Sequence, residues 1–162
     1  MEEKTVCCFT GHRRITEEHI LKLPELLSQT LDMLIDKGVD TFRAGGALGF
    51  DTLCALKVLE KKKSHPHIRL ELMLPCRDQT NGWSEREKYV YSYLLERADL
   101  IKYAEQSYVS GCMYKRNRML VDGSDYCVAF LAKNDGGTAY TCKYALSKGV
   151  ELINLFYELE ED

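Results

Sequence analysis

Val39-Asp40-Thr41-Phe42-Arg43-Ala44, followed without a break by Gly45-Gly46-Ala47-Leu48-Gly49-Phe50-Asp51, is the stretch on which the fold turns. The first part reads as a short strand. The glycines read as a tight turn, and Phe50 to Lys63 reads as a helix that is apolar on most sides near its start. Strand, glycine turn and helix in direct succession describe one βα unit, and the same unit recurs on both sides. Upstream, Thr5 to Thr10 is an apolar, β-branched run closed by Gly11. It is followed by Ile20, Leu23, Leu27, Leu31 and Leu34 at helical spacing. Pro24 inside that pattern predicts a late helix start or a kink, and Lys37-Gly38 predicts the stop.

Downstream, Ile68, Leu70, Leu72 and Leu74 alternate with Arg69, Glu71 and Met73. This is a strand with one wetter face, which places it near a sheet edge. Ser84-Glu85-Arg86-Glu87 fits a capping box and opens a helix to about Arg97. Asp99 to Tyr103, Tyr126 to Ala132 and Val150 to Phe156 read as strands. Gly111 to Val121 and Thr138 to Ser147 read as helices, the second ending at Gly149. The acidic tail Glu158 to Asp162 is expected to fray. About six strands alternating with five helices predict an α/β fold: an open, mostly parallel sheet with helices on both faces. In such sheets ligands sit beyond the carboxyl ends of the strands, where the strand order reverses.

Composition narrows the function classes. The chain has 162 residues, 22 Lys+Arg against 25 Asp+Glu, and a formal charge of −3. Its length fits one domain, and no apolar run approaches the roughly 20 residues of a membrane span. The Met-Glu-Glu-Lys start has no secretory pattern, so a cytoplasmic location is expected, with no membrane partner. Seven cysteines include no C-x-x-C pair, so neither a disulfide framework nor a metal site is expected. Weak net acidity makes nucleic acid an unexpected partner and favours a small molecule.

Three strand-to-helix loops carry glycine. Thr10-Gly11-His12-Arg13-Arg14 pairs a close-approach residue with cations suited to phosphate or carboxylate. In the second loop, Gly45, Gly46, Gly49 and Asp51 lead a helix whose amides and dipole suit an anion. Its spacing fits neither G-x-G-x-x-G nor G-K-[ST], which removes the main support for a nicotinamide dehydrogenase or an ATPase. Asp51 either contacts a ribose hydroxyl or serves as a favourable charge at the helix start. Asp135-Gly136-Gly137-Thr138 is the third such turn. Arg116 and Asn117 lie on a helix and are placed to project toward the same cleft, unless the Lys115 to Arg118 cluster is only a solvated basic face. Trp83, the sole tryptophan, either stacks on a base or anchors its loop to the core. Cys76, beside Arg77, is a weak candidate for an activated thiol. His12 is the histidine best placed for the cleft, while His19, His65 and His67 are expected in solvent.

Taken together, Thr10-Gly11-His12-Arg13, Gly45 to Asp51, Trp83, Arg116-Asn117 and Gly136-Gly137-Thr138 closely resemble the YpsA-like family of the SLOG superfamily. That superfamily also holds the DNA-processing protein DprA and the cytokinin-activating LOG enzymes. The match runs from about Thr5 to Gly149. The resemblance implies a Rossmann-like domain that binds a nucleotide or a nucleotide-derived ligand such as ADP-ribose, in a sensory or regulatory role. No further cofactor is implied, and a homodimer is an expectation of the resemblance. Two alternatives follow from the relatives. One is N-glycosidic cleavage of a nucleoside monophosphate. The chain departs from that pattern, because Thr138-Ala139-Tyr140-Thr141-Cys142 has no acid where LOG enzymes carry a glutamate. The other is single-stranded DNA binding of the DprA kind.

Overall fold

The computed structural model describes residues 4–160. The strands are β1 (Val6–Gly11), β2 (Thr41–Ala44), β3 (Arg69–Leu74), β4 (Leu100–Tyr103), β5 (Tyr126–Phe130) and β6 (Glu151–Asn154). Helices α1 (Glu17–Asp36), α2 (Phe50–Lys62), α3 (Glu85–Arg97), α4 (Cys112–Val121), α5 (Gly136–Ser147) and α6 (Leu155–Glu160) alternate with them. All pairings are parallel, in the order β4-β3-β2-β1-β5-β6. The expected open Rossmann-like sheet is therefore present.

The chain winds outward from β1 to β4, then returns across the sheet to place β5 on the other side of β1. With right-handed crossovers, that reversal puts α1, α2 and α3 on one face and α4 and α5 on the other. The two cores follow this division. The larger packs Leu23, Leu27 and Leu31 of α1, Phe50 and Cys54 of α2, and Leu94 of α3 against Phe9, Phe42, Leu72 and Val128. The smaller packs Leu120 and Val121 of α4 and Ala145 of α5 against Cys8, Met73 and Cys127. The gap between the carboxyl ends of β1 and β5 is the point where strand order reverses, and it opens the crevice such folds use for ligands.

Five local expectations are corrected. Helix α1 neither starts late nor waits for Pro24: Thr16 caps it, its hydroxyl accepting from the His19 amide, and Pro24 sits inside the helix. Its tertiary packing outweighs the one backbone bond that proline removes. Strand β3 is interior, between β2 and β4. Its wetter face arises because Glu71 is buried in an ion network, accepting from Arg43 Nε at 3.0 Å and Lys4 Nζ at 3.3 Å. A sixth helix replaces the end of the last predicted strand, because the ladder ends at Asn154, which pairs with Ala129 and then turns its side chain to bond the flanking backbone. Its side-chain oxygen accepts from the amides of Leu131 and Phe156. Glu158 to Glu160 are helical rather than frayed, while residues 161 and 162 lie outside the described residues. His19 is not in open solvent. Its ring bonds Thr16 Oγ1 at 2.8 Å and Glu160 Oε1 at 2.6 Å, and packs edge-on against Phe130 and Phe156.

Candidate functional site

A cleft of about 340 Å³ lies at the β1/β5 crevice. It gathers Gly11, His12 and Arg13 from the first loop, Asp51 from α2, Arg116 and Asn117 from α4, and Gly136, Gly137 and Thr138 from the start of α5. Nine expected site residues, scattered along the chain, thus meet in one place. Gly45 lies beneath this cleft. Gly46 packs toward Leu74, Gln79 and Tyr91. Gly49 and Trp83 line a separate groove of about 670 Å³ between α2 and α3, and Arg13 borders both spaces.

The cleft floor is charged. Arg116 and Asn117 are only 5% and 8% exposed, which removes the reading of a solvated basic face. Arg116 Nη1 donates to the carbonyl of Gly45, and Nε donates to Asn117 Oδ1 at 2.9 Å. A Cβ on Gly45 would fall 2.6 Å from Arg116 Nη1 and 2.7 Å from Asp51 Oδ2. Only a bare α-carbon lets the backbone rest between these two groups. Asp51 is buried and accepts from the Ala47 amide at 3.3 Å. Burial drives its carboxyl from 3.8 to about 6, against the pull of the Arg116 charge. Burial likewise lowers Arg116, against the support of Asp51.

A carboxyl raised in the folded state binds protons that the unfolded chain has released. Its favourable contribution is complete below pH 3.8 and is lost as pH rises through about 6, a difference of about 3 kcal/mol. Asp51→Asn abolishes this dependence. Denaturant unfolding of the two proteins will show the variant gaining up to about 3 kcal/mol relative to the wild type between pH 4 and pH 8. A difference independent of pH would contradict the assignment.

His12 fastens the two loops of the crevice. Its Nε2 accepts from the amides of Ala132 at 2.9 Å and Lys133 at 3.2 Å, so the ring is neutral with its proton on Nδ1. Burial lowers its pKa from 6.5. The unfolded chain therefore takes the proton first, and the clamp's contribution is present above pH 6.5 and lost as pH falls. His12→Ala is expected to cost about 1 kcal/mol and to strip hydrogen-exchange protection from the Ala132 and Lys133 amides. Unchanged protection at both amides would rule the clamp out.

Helix α5 opens without a side-chain cap, and its first turn carries no acid. Its amides at Gly137 and Thr138 border the cleft, leaving donors and a positive dipole end for an anion. Cys76 is no activated thiol: burial beside Asp78 pushes it up to about 11. Arg77 is engaged elsewhere, bonding Gln106 and lying over the Tyr103 ring. Thr10, Ala47 and Asp135 join the cleft from the three glycine loops, while Met113 and Leu120 also line it and were not expected. Met113 had a legible signal, since it lies three and four residues before Arg116 and Asn117 on one helix face.

The comparisons with known proteins agree with this fold. Residues 8–153 match the model of the YspA SLOG family. The SPbeta prophage-derived protein YoqJ of Bacillus subtilis is 32% identical over 139 residues, covering 78% of this chain and 81% of that protein. A UPF0398 protein of Halalkalibacterium halodurans is 32% identical over 117 residues, covering 71% of this chain, which spans 59% of that relative's length. Among solved structures, DprA of Streptococcus pneumoniae superposes with a TM-score of 0.64 at 12% identity, over 92% of this chain and 49% of that one. DprA of Helicobacter pylori superposes at 0.66 with 20% identity, over 93% of this chain and 64% of that one. The likeness to DprA is one of fold. No described helix is long and apolar enough to cross a membrane. On the match of its sequence over residues 8–153, the chain belongs to the YspA SLOG family.

Proposed function

We propose that the cleft binds a nucleotide-type ligand through its phosphate, as a sensory or regulatory site. The observation that carries this reading is the start of α5, where the N-cap Asp135 makes no side-chain cap bond and the first turn, which carries no acid, shares the cleft with Arg13 and Arg116. An anion there meets backbone donors, a helix dipole and two guanidinium groups in a space closed to bulk solvent on its floor. AMP, ADP, NAD and ADP-ribose span the candidates. At a hundredfold its dissociation constant, a ligand adds about 2.7 kcal/mol to stability. The thermal midpoint should then rise by roughly 5–11 °C. No shift with any of the four, at millimolar concentration, would overturn the proposal. Chromatography of the same mixtures tests cleavage: Asp51 is the buried carboxyl of the cleft, and free base in the eluate would make this site hydrolytic.

A second reading has one observation in its favour. The H. pylori DprA structure is described by its single-stranded DNA binding mode, and it shares this fold. The chain's acidic balance weighs against a strand as the principal ligand, yet the likeness returns nucleic acid to the candidate partners. A gel shift with a single-stranded oligonucleotide, abolished by moderate salt, would favour it.

A further inference from the structure

Beside the cleft is a second pocket, of about 440 Å³, whose contents have a different chemistry. It lies beyond β3 and β4, between the loop leading to α3 and the loop leading to α4. Trp83 and Tyr108 supply aromatic surface, while Asp78, Gln79 and Asn81 supply polar groups. The two loops are laced together. Arg77 N–H donates to the Gln106 carbonyl at 3.2 Å, Glu105 N–H to Pro75 at 3.0 Å, and Tyr108 N–H to Asp78 Oδ1 at 3.2 Å. A pocket held open by such cross-bonds is formed before a ligand arrives.

We infer that this pocket is the base subsite, taking the aromatic base of a nucleotide whose phosphate lies at α5; the inference rests on the phosphate reading above. Three residues, Arg13, Ala47 and Met113, line both spaces, so the cleft and the pocket adjoin and one ligand can span them. The larger α2–α3 groove shares only Arg13 with the cleft. It also has no amide side chain to read a base edge. In the pocket, Gln79 gives one amide proton to Tyr91 Oη at 3.1 Å, which keeps its carbonyl oxygen for another donor. Asp78 retains a second oxygen, and Asn81 is exposed at the mouth. A π-face flanked by amide and carboxylate groups is the chemistry that recognises a heterocyclic base.

Trp83 is the only tryptophan and lines both this pocket and the α2–α3 groove, so its emission reports a ligand in either, and Tyr108, which lines this pocket and not the groove, tells the two apart. The test titrates AMP, adenosine and ribose 5-phosphate, following Trp83 fluorescence and the thermal midpoint together. AMP is expected to bind at least about tenfold more tightly than ribose 5-phosphate, the usual gain from one stacked base, and to change Trp83 emission. Trp83→Leu and Tyr108→Ala should reduce AMP toward the affinity of ribose 5-phosphate and leave ribose 5-phosphate itself unaffected. Tyr108 is 68% exposed, so its truncation costs the fold little and serves where the tryptophan variant unfolds. Equal binding of AMP and ribose 5-phosphate with unchanged emission would overturn the base subsite while the phosphate cleft stood. A response to adenosine with none to ribose 5-phosphate would keep the base subsite and overturn the phosphate reading. Silence with all three overturns both.

Discussion

Arg116→Met should lower stability at pH 7 by about 3–5 kcal/mol, because it removes one partner of a buried charge pair and leaves the other in place. The thermal midpoint is expected to fall by roughly 6–20 °C. Three consequences combine. The Gly45 carbonyl and the Asn117 side-chain oxygen each lose their donor within a buried site. Asp51 loses the positive charge that opposes its desolvation, so its carboxyl is driven above its present value of about 6. The cleft also loses a cation that faces the proposed phosphate, so ligand affinity falls as well.

The size of the loss depends on pH and on Asp51, and that dependence identifies the cause. At pH 5 the Asp51 carboxyl is largely protonated, so removing Arg116 strands less charge and the deficit shrinks. Asp51→Asn in the same chain should recover a large part of the lost stability, since an apolar and a neutral polar side chain need no charge compensation. Circular dichroism melts of the two single variants and the double variant close the cycle. An Asp51→Asn effect of the same size in the Arg116→Met background as in the wild type would show that the two groups act independently.

The fold was legible because its signals are local and repeated. Alternation at Ile68 to Leu74, three- and four-residue spacing at Leu23 to Leu34, and a glycine closing β1 and another directly after β2 all point to one topology. What failed was decided at a distance. The wet face of β3 looks like an edge until Arg43, 28 residues away in sequence, is seen to neutralise Glu71. The end of the last strand depends on Asn154 reaching Leu131, a bond no local pattern announces. In the site, residue types such as Gly11, Arg13 and Gly137 were readable from chemistry. The double role of His12 as a clamp was not, because its acceptors' partners, Ala132 and Lys133, have no side-chain signature. Burial of Asp51 and Arg116 was equally hidden, since a charged residue in sequence reads as solvated until its partners are placed.

Gly49→Ala should be the most damaging single methyl group in the site. Gly49 has φ +81° and ψ −124°, a conformation that residues with a side chain scarcely adopt, and enforcing it costs about 1–3 kcal/mol. Gly111 provides the comparison, having φ +83° and no neighbour within 4 Å of an added Cβ. Gly111→Ala is therefore expected to cost only about 1–2 kcal/mol of left-handed strain. At Gly49 the new methyl would also lie 2.2 Å from the Arg13 carbonyl oxygen and 2.6 Å from the Arg13 carbonyl carbon, where a backbone rather than a flexible side chain must yield. That backbone has no slack. The Phe50 amide donates to the His12 carbonyl at 3.2 Å, and the Phe50 ring occupies the space where a side chain on Gly11 would go. Pushing Arg13 away therefore opens the first loop from the second and moves a guanidinium that borders all three cavities. Gly49→Ala should unfold at least about 2 kcal/mol more easily than Gly111→Ala in a denaturant titration, and should lose ligand binding even where it remains folded. Equal stabilities for the two variants, with binding intact, would mean that the two loops move independently and that their contact at Gly49 does not hold the cleft in shape.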